Sequence, residues 1–268
     1  MLPGPAGRAL AEAAAAAAAR LPLPTGTAAG RGLAERRALT ASHLRRVYGS
    51  AVGERELRRL VGEAFASYGR YWAESLRLPS LSPDEVAAGL TFEGREHLDG
   101  GLAGGRGVVL ALPHLGGWEW GGTFLAAGGY GVSVVVEPLR PPDVFEWFAS
   151  FRRRLGLEVI PAGPGAGAAC LRALAANRVL CLLSDRVVGD VPGVEVQLFG
   201  AATRLPAGPA TLALRTGAPL LPAAVYFGTR TEEHRAVVRP PLTLRRAGRL
   251  RDDVAAGTQL LAGELEDL

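Results

Sequence analysis

The pattern of apolar and polar residues is helical in the first part of the chain and then predicts strands and helices in alternation. Apolar residues recur at helical spacing over residues 54–76, and residues 1–90 as a whole predict an N-terminal helical segment. From residue 107, short apolar runs predict strands at Val108–Leu112, 132–137, 157–160, 179–184, 194–198, 220–227 and 236–239. The stretches between them predict helices at 118–127, 143–155, 166–176, 207–216 and 251–265.

This alternation favours an α/β fold with a mixed, mostly parallel central sheet flanked by helices. Residues 91–268 would form the α/β core, and the helical segment would pack on it to give one compact domain. The length of 268 residues suits such a domain. Because ligands in these folds bind beyond the carboxyl ends of the strands, polar residues that follow the predicted strands are the first candidates for a site.

Composition narrows the function classes. All 30 basic residues are arginine and the net charge is +4, which suits phosphate-bearing substrates or anionic lipid headgroups but also a merely soluble surface. No basic strip interleaved with aromatic residues indicates nucleic-acid binding. Aromatic residues do lie among arginines within residues 54–76, where an amphipathic helix packed on the domain and a membrane-lying face both fit the pattern.

Other chemistries lack their motifs. The two cysteines lie in apolar surroundings and are expected to be buried thiols, and no histidine has zinc-motif spacing, so no metal is expected. The sequence contains no G-x-S-x-G, and a P-loop lysine is impossible in a chain without lysine. No apolar stretch is long enough to span a bilayer, and the alanine run at residues 13–19 predicts a helix and not a signal peptide. We therefore expect a cytoplasmic protein, soluble or bound at a membrane face.

The strongest candidate for chemistry is the segment Pro113-His114-Leu-Gly-Gly-Trp-Glu119, which follows the apolar run Val108–Leu112. A carboxylate beside an imidazole orients one ring nitrogen and leaves the other able to accept a proton from a hydroxyl. A structural or surface pair is the alternative interpretation of this spacing. Glu137, the Asp185-Arg186 pair and the turn before residue 207 are predicted to lie at the same sheet edge.

A competing motif lies later in the chain. Gly163, Gly165 and Ala168 form a G-x-G-x-x-A pattern after a predicted strand, with Asp185 about twenty residues further on. This arrangement is typical of dinucleotide binding and leaves an NAD(P)-dependent oxidoreductase as an alternative. Glycine and alanine are so frequent in this chain that chance matches are expected, and a proline stands where the tight turn would be.

The segment from Ala111 to Glu119 resembles the H-x4-D/E block of the lysophospholipid acyltransferase superfamily. The bacterial lipid A lauroyl/myristoyl acyltransferases, and within them the actinobacterial phosphatidylinositol mannoside acyltransferases, are the most similar branch. The stretches 67–79, 136–145, 151–156, 184–186, 193–200 and 204–213 resemble further blocks of that family in the same order. The mannoside branch usually has aspartate at the position of Glu119.

The resemblance implies transfer of a fatty acyl group, typically palmitoyl, from acyl-CoA to a mannose hydroxyl of a phosphatidylinositol mannoside. It implies a peripheral protein at the cytoplasmic face of the cell membrane, an apolar tunnel for the acyl chain, and acyl-CoA as a substrate with no cofactor. His114 would be the general base, Glu119 would orient it or bind the acceptor, and Glu195 would pair with His114. Substrate-binding roles are implied for Glu137, Arg152, Asp185, Arg186, Arg204 and Gly208.

The chemistry of such a transfer sets two more expectations. The tetrahedral oxyanion needs donors, for which backbone N–H groups after Pro113 or near Gly208 are the candidates. No serine or cysteine is placed to form an acyl-enzyme, so direct transfer is expected. A catalytically inactive, lipid-binding relative of the same fold is a third hypothesis.

Overall fold

The described part of the chain comprises residues 28–138, 140–189 and 192–268 of a computed structural model. The alanine run at residues 13–19 lies outside it. The chain divides between Arg77 and Leu78 into two units. The first contains helices α1 (Ala28–Tyr48) and α2 (Glu54–Arg77), so the predicted N-terminal helices are confirmed for its described residues. The prediction that this segment packs on the core within one domain stays a prediction.

The second unit is the predicted α/β fold. Its helices are α3 (Pro83–Ala88), α4 (Arg95–Ala103), α5 (Trp118–Ala127), α6 (Pro142–Arg154), α7 (Ala166–Ala175), α8 (Gly208–Thr216) and α9 (Leu250–Asp267). Its strands are β1 (Leu90–Glu93), β2 (Val108–Leu112), β3 (Val132–Val136), β4 (Glu158–Pro161), β5 (Val179–Leu183), β6 (Gly193–Leu198), β7 (Ala201–Pro206), β8 (Leu220–Phe227) and β9 (His234–Val238). All predicted strands from residue 107 are present within a few residues, while β1, β7 and α4 were not predicted.

Seven strands form the central sheet in the order β1-β9-β8-β2-β5-β3-β4. Strands β8, β2, β5, β3 and β4 run parallel, and β9 is antiparallel to β8. The carboxyl ends of the five parallel strands therefore meet at one edge of the sheet, which is the edge predicted to carry the site. Strands β6 and β7 form a separate antiparallel hairpin.

Strand β2 is central because the core covers both of its faces. Val108, Leu110 and Leu112 belong to the apolar cluster on one side, and Val109 and Ala111 belong to the cluster on the other. A strand buried on both faces reads as a continuous apolar run, which is why the sequence identifies β2 so clearly. The burial gives His114, two residues beyond the end of the strand, a rigid support.

The two cysteines are free and buried, as predicted. Burial raises the pKa of the Cys181 thiol to about 12, so this side chain stays a protonated apolar group. In the described part of the chain, no helix combines the length and apolar character needed to cross a bilayer. The same residues contain no group of three or more histidine, cysteine, aspartate or glutamate side chains that could hold a metal ion.

Candidate active site

The turn that follows β2 is fixed against the strands beneath it. Gly116 has a φ of +57°, and a Cβ atom at this position would lie 1.9 Å from the carbonyl oxygen of Val225. A Cβ on Gly117 would lie 2.4 Å from the ring of His234, which is buried and stacks on Trp120 with a centroid distance of 4.5 Å. Only glycine allows this close approach, so the turn that carries His114 rests directly on β8 and β9.

We predict a large loss of stability for Gly116→Ala. An L-residue in the left-handed region is strained, and the new methyl group meets backbone, so the free energy of unfolding should fall by roughly 2–4 kcal/mol. Gly100→Ala is the matched control, since Gly100 lies within α4 with open space around it and the change should be neutral or slightly stabilising. Urea unfolding of both variants measures the difference, and equal stabilities would contradict this account of the turn.

His114 is paired with Asp185, at the carboxyl ends of the neighbouring strands β2 and β5. The imidazole Nδ1 lies 2.6 Å from Oδ1 of Asp185, and the backbone N–H of His114 donates to Oδ2 of the same carboxylate at 3.1 Å. About a third of each side chain is exposed. With Nδ1–H donated to the carboxylate, Nε2 carries the lone pair and can accept a proton. This geometry would suit a histidine that acts as a general base with an orienting carboxylate.

Asp185 is held in its charged form. Partial burial opposes ionisation and would raise the pKa of Asp185. His114 outweighs this through its ring hydrogen bond, its charge and its backbone N–H, and it holds the pKa of Asp185 below the usual 3.8. A depressed folded-state pKa stabilises the protein above the unfolded-state value, and this stabilisation is lost as pH falls through the folded-state value.

The Asp185→Asn variant should therefore lose stability relative to wild type at neutral pH. The difference should shrink as the pH is lowered through and below 3.8, where the wild-type carboxylate also becomes protonated. Chemical unfolding of both proteins over a series of pH values measures this difference. A difference that does not depend on pH would show that the charge of Asp185 contributes nothing to stability.

Glu119 contacts Arg152 in the structure. The carboxylate is 3% exposed, and its Oε1 accepts hydrogen bonds from Nε and a terminal nitrogen of Arg152 at 3.0 and 2.5 Å. Arg152 lies on α6, and its guanidinium is also placed over the rings of Trp118 (5.5 Å) and Phe148 (6.0 Å). The ion pair thus joins the start of α5 to the end of α6 directly beside the His114 turn.

The remaining predicted site residues fall into two places. Glu137 follows β3 and lies 3.5 Å from Arg186, an exposed pair next to Asp185 at the same sheet edge. Glu195 and Arg204 lie opposite each other on the β6–β7 hairpin, both exposed, and Arg204 donates to the carbonyl of Gly193. Gly208 begins α8.

The sequence predicted Glu119 or Glu195 as the partner of His114, whereas in the structure the residue hydrogen-bonded to His114 is Asp185, which had been predicted to bind substrate. The signal was present as a Ser-Asp-Arg triplet at the end of a buried strand, but the sequence does not reveal that β5 lies next to β2. Trp118, whose ring lies edge-on to His114 at 6.0 Å, was also not identified.

Two other expectations change. The backbone N–H groups of His114 and Leu115 donate to Asp185 and to the carbonyl of Pro113, so these two are not the oxyanion donors expected after Pro113. The dinucleotide hypothesis used Asp185 as the acidic residue of its motif, but this carboxylate is hydrogen-bonded to His114. The motif itself follows β4, an edge strand of the sheet, and among the described residues no strand lies on its far side to complete a crevice.

Comparison with known proteins identifies the family. A family model described as bacterial lipid A biosynthesis acyltransferase matches residues 8–268. A phosphatidylinositol mannoside acyltransferase of Mycobacterium tuberculosis (strain CDC 1551 / Oshkosh) is 41% identical over 209 residues, which cover 76% of this chain and 63% of the relative. A protein of the same name from Mycolicibacterium smegmatis is 39% identical over 171 residues, covering 63% of this chain and 56% of the relative.

The matched residues thus span less than two thirds of the length of these relatives. The family match, by contrast, extends over nearly the whole chain and includes every residue of the candidate site. The chain belongs to the bacterial lipid A biosynthesis acyltransferase family.

Proposed function

We propose that this protein is an O-acyltransferase that moves a fatty acyl group, such as palmitoyl, from acyl-CoA to a hydroxyl of a mannosylated phosphatidylinositol. The observation that carries the proposal is the 2.6 Å pair of His114 and Asp185 at the carboxyl edge of the sheet. The names of the relatives, with 39–41% identity, support the acceptor class. The family resemblance supports acyl-CoA as the donor.

The proposed reaction is direct transfer. Nε2 of His114 takes the proton of the acceptor hydroxyl while the oxygen of this hydroxyl attacks the thioester carbonyl. Asp185 stabilises the imidazolium that forms. As the tetrahedral intermediate collapses, the carbon–sulfur bond breaks and the imidazolium returns the proton to the leaving thiolate. A positioned base of this kind contributes roughly 10²–10⁴-fold in rate.

Nearby nucleophiles support direct transfer over an acyl-enzyme. Ser184 precedes Asp185, but it is fully buried and its hydroxyl donates to the carbonyl of Leu182 at 2.8 Å. Cys181 lies in the core with a thiol pKa of about 12, so it supplies no thiolate near neutral pH.

The polar groups at the sheet edge are proposed to bind the two substrates. Glu137 and Arg186 are exposed beside Asp185, where a carboxylate and a guanidinium can hydrogen-bond sugar hydroxyls and phosphate. Arg204 and Gly208 would contact the CoA phosphates or the oxyanion. Glu195 is exposed on its hairpin and is proposed to pair with His114 when substrate is bound.

Product analysis tests the proposal. The protein is incubated with palmitoyl-CoA and either a phosphatidylinositol mannoside or phosphatidylinositol without mannose, and lipids are examined by mass spectrometry. We expect one added palmitoyl ester on the mannosylated lipid, and fragmentation should place it on a sugar. Unchanged lipids, or equal acylation of both, would contradict the proposed acceptor.

We also propose that the protein works at an anionic membrane surface through its first unit. Residues 28–77 contain ten arginines and five glutamates, and Leu39, Tyr48 and Tyr68 are 57%, 47% and 60% exposed. Arginine next to exposed apolar and aromatic side chains is the composition of a face that lies on anionic lipid.

Vesicle binding tests the membrane proposal. The protein should sediment with phosphatidylglycerol-containing vesicles and less with pure phosphatidylcholine, and added salt should weaken the binding. The double variant Leu39→Ser/Tyr68→Ser should bind less, whereas the control Leu260→Ser, at a residue of α9 that is 51% exposed, should bind like wild type. Equal binding by both variants would place the contact elsewhere.

A further inference from the structure

The contacts with Asp185 fix the position of His114 but not the plane of its imidazole ring. Asp185 fixes Nδ1 of the ring and the backbone of His114, both through one carboxylate. A single ring hydrogen bond fixes the position of Nδ1 but lets the imidazole plane tilt about it, which would displace Nε2. A second contact is therefore needed to hold the proton-accepting nitrogen in place.

Trp118 provides that contact. Its ring lies against the imidazole with a centroid distance of 6.0 Å and an interplanar angle of 86°. This perpendicular arrangement is a favourable one for two aromatic rings. Trp118 is half-buried at the first position of α5, so its own backbone is fixed by the helix and by the glycine turn before it.

Trp118 is in turn held by the buried ion pair. The guanidinium of Arg152 lies 5.5 Å from the centre of the indole, and two of its nitrogens donate to Glu119. Arginine holds both partners because its planar group can stack on a ring while its N–H groups bond a carboxylate. The described contacts thus run from Glu119 through Arg152 and Trp118 to His114.

We infer that Trp118 is a positioning residue, through which the Glu119–Arg152 pair fixes the plane of the His114 imidazole. This inference rests on the proposed acyl transfer and deepens it, since it gives the glutamate of the H-x4-E segment a role that acts at a distance. The spacing follows: Trp118 and Glu119 are adjacent residues at the start of α5, one facing the imidazole and the other facing Arg152.

Three variants test the inference by kinetics. Trp118→Leu removes the ring and should lower kcat by about ten- to a hundredfold at an unchanged KM for acyl-CoA, since misplacement of a reacting group by about 1 Å can cost about a hundredfold. Trp118→Phe keeps a ring and should recover most of the rate. Arg152→Lys keeps the charge beside Glu119 but loses the planar stacking on Trp118. The double variant Trp118→Leu/Arg152→Lys should have a kcat little lower than that of Trp118→Leu alone.

A second measurement does not depend on catalysis. Diethyl pyrocarbonate modifies accessible histidines, and peptide mass spectrometry gives the rate at each site. In Trp118→Leu the rate at His114 should rise several-fold while the rate at His97 stays unchanged. This result would support positioning even if wild type transferred no acyl group, an outcome that would overturn the proposed function alone.

Three results would count against the inference. Unchanged kcat and unchanged His114 labelling in Trp118→Leu would overturn the inference. A raised KM for the acceptor at constant kcat would also overturn it, because Trp118 would then bind substrate and not position the base. Additive losses in the double variant would show that Arg152 acts independently of Trp118.

Discussion

Replacement of His114 by alanine should reduce kcat by at least about 10²–10⁴-fold while leaving the fold intact. The loss follows because Nε2 of His114 is the proposed proton acceptor and an alanine side chain cannot replace it. The side chain is about a third exposed, so its removal leaves no large cavity, and the stability lost should be that of its pair with Asp185.

The matched control is His97→Ala, at a histidine with a similar exposure of 32%. It should retain wild-type kcat, and both variants should still be folded in the absence of denaturant. Wild-type activity in His114→Ala would show that the proton is removed by another group and would overturn the assignment of the base.

Glu119→Gln should be the most destabilising of the charge-removing variants. Arg152, whose side chain is only 12% exposed, would be left with an uncompensated charge, and breaking a buried pair in this way costs about 3–5 kcal/mol. Thermal or urea unfolding gives the change in the free energy of unfolding.

Glu93→Gln is the control for this prediction. Glu93 pairs with Arg235 at 3.2 Å, but both side chains are about half exposed, so the expected loss is below about 1 kcal/mol. The double variant Glu119→Leu/Arg152→Met should be more stable than Glu119→Gln, because it removes both charges from the interior. Equal losses in Glu119→Gln and Glu93→Gln would show that burial of the pair has no energetic consequence.

The sequence predicted the parts of the fold that carry strong local signals. Strand β2 was identified at its observed bounds because it is a continuous apolar run between Gly107 and Pro113. Strand β1 was missed because only Leu90 of its four residues is fully buried, and β7 because its burial is partial along most of its length. Such short or half-exposed strands are specified by their partners and not by their own composition.

The residues of the candidate site likewise differ in whether a local sequence feature reveals them. His114 could be identified because the strand end and the following glycine turn are local features. Its pairing with Asp185 could not, since it depends on β5 lying next to β2 across 71 positions of sequence. The contact of Glu119 with Arg152 likewise depends on the packing of α5 beside α6, which no spacing within the H-x4-E segment reveals.

We propose above all that this protein transfers an acyl group from a thioester to a glycolipid hydroxyl. The most direct measurement is the release of free CoA from palmitoyl-CoA by the purified protein, with and without a phosphatidylinositol mannoside. We expect release that depends on the acceptor and is lost in His114→Ala. Release that is absent under both conditions, or that proceeds at the same rate without the acceptor, would contradict it.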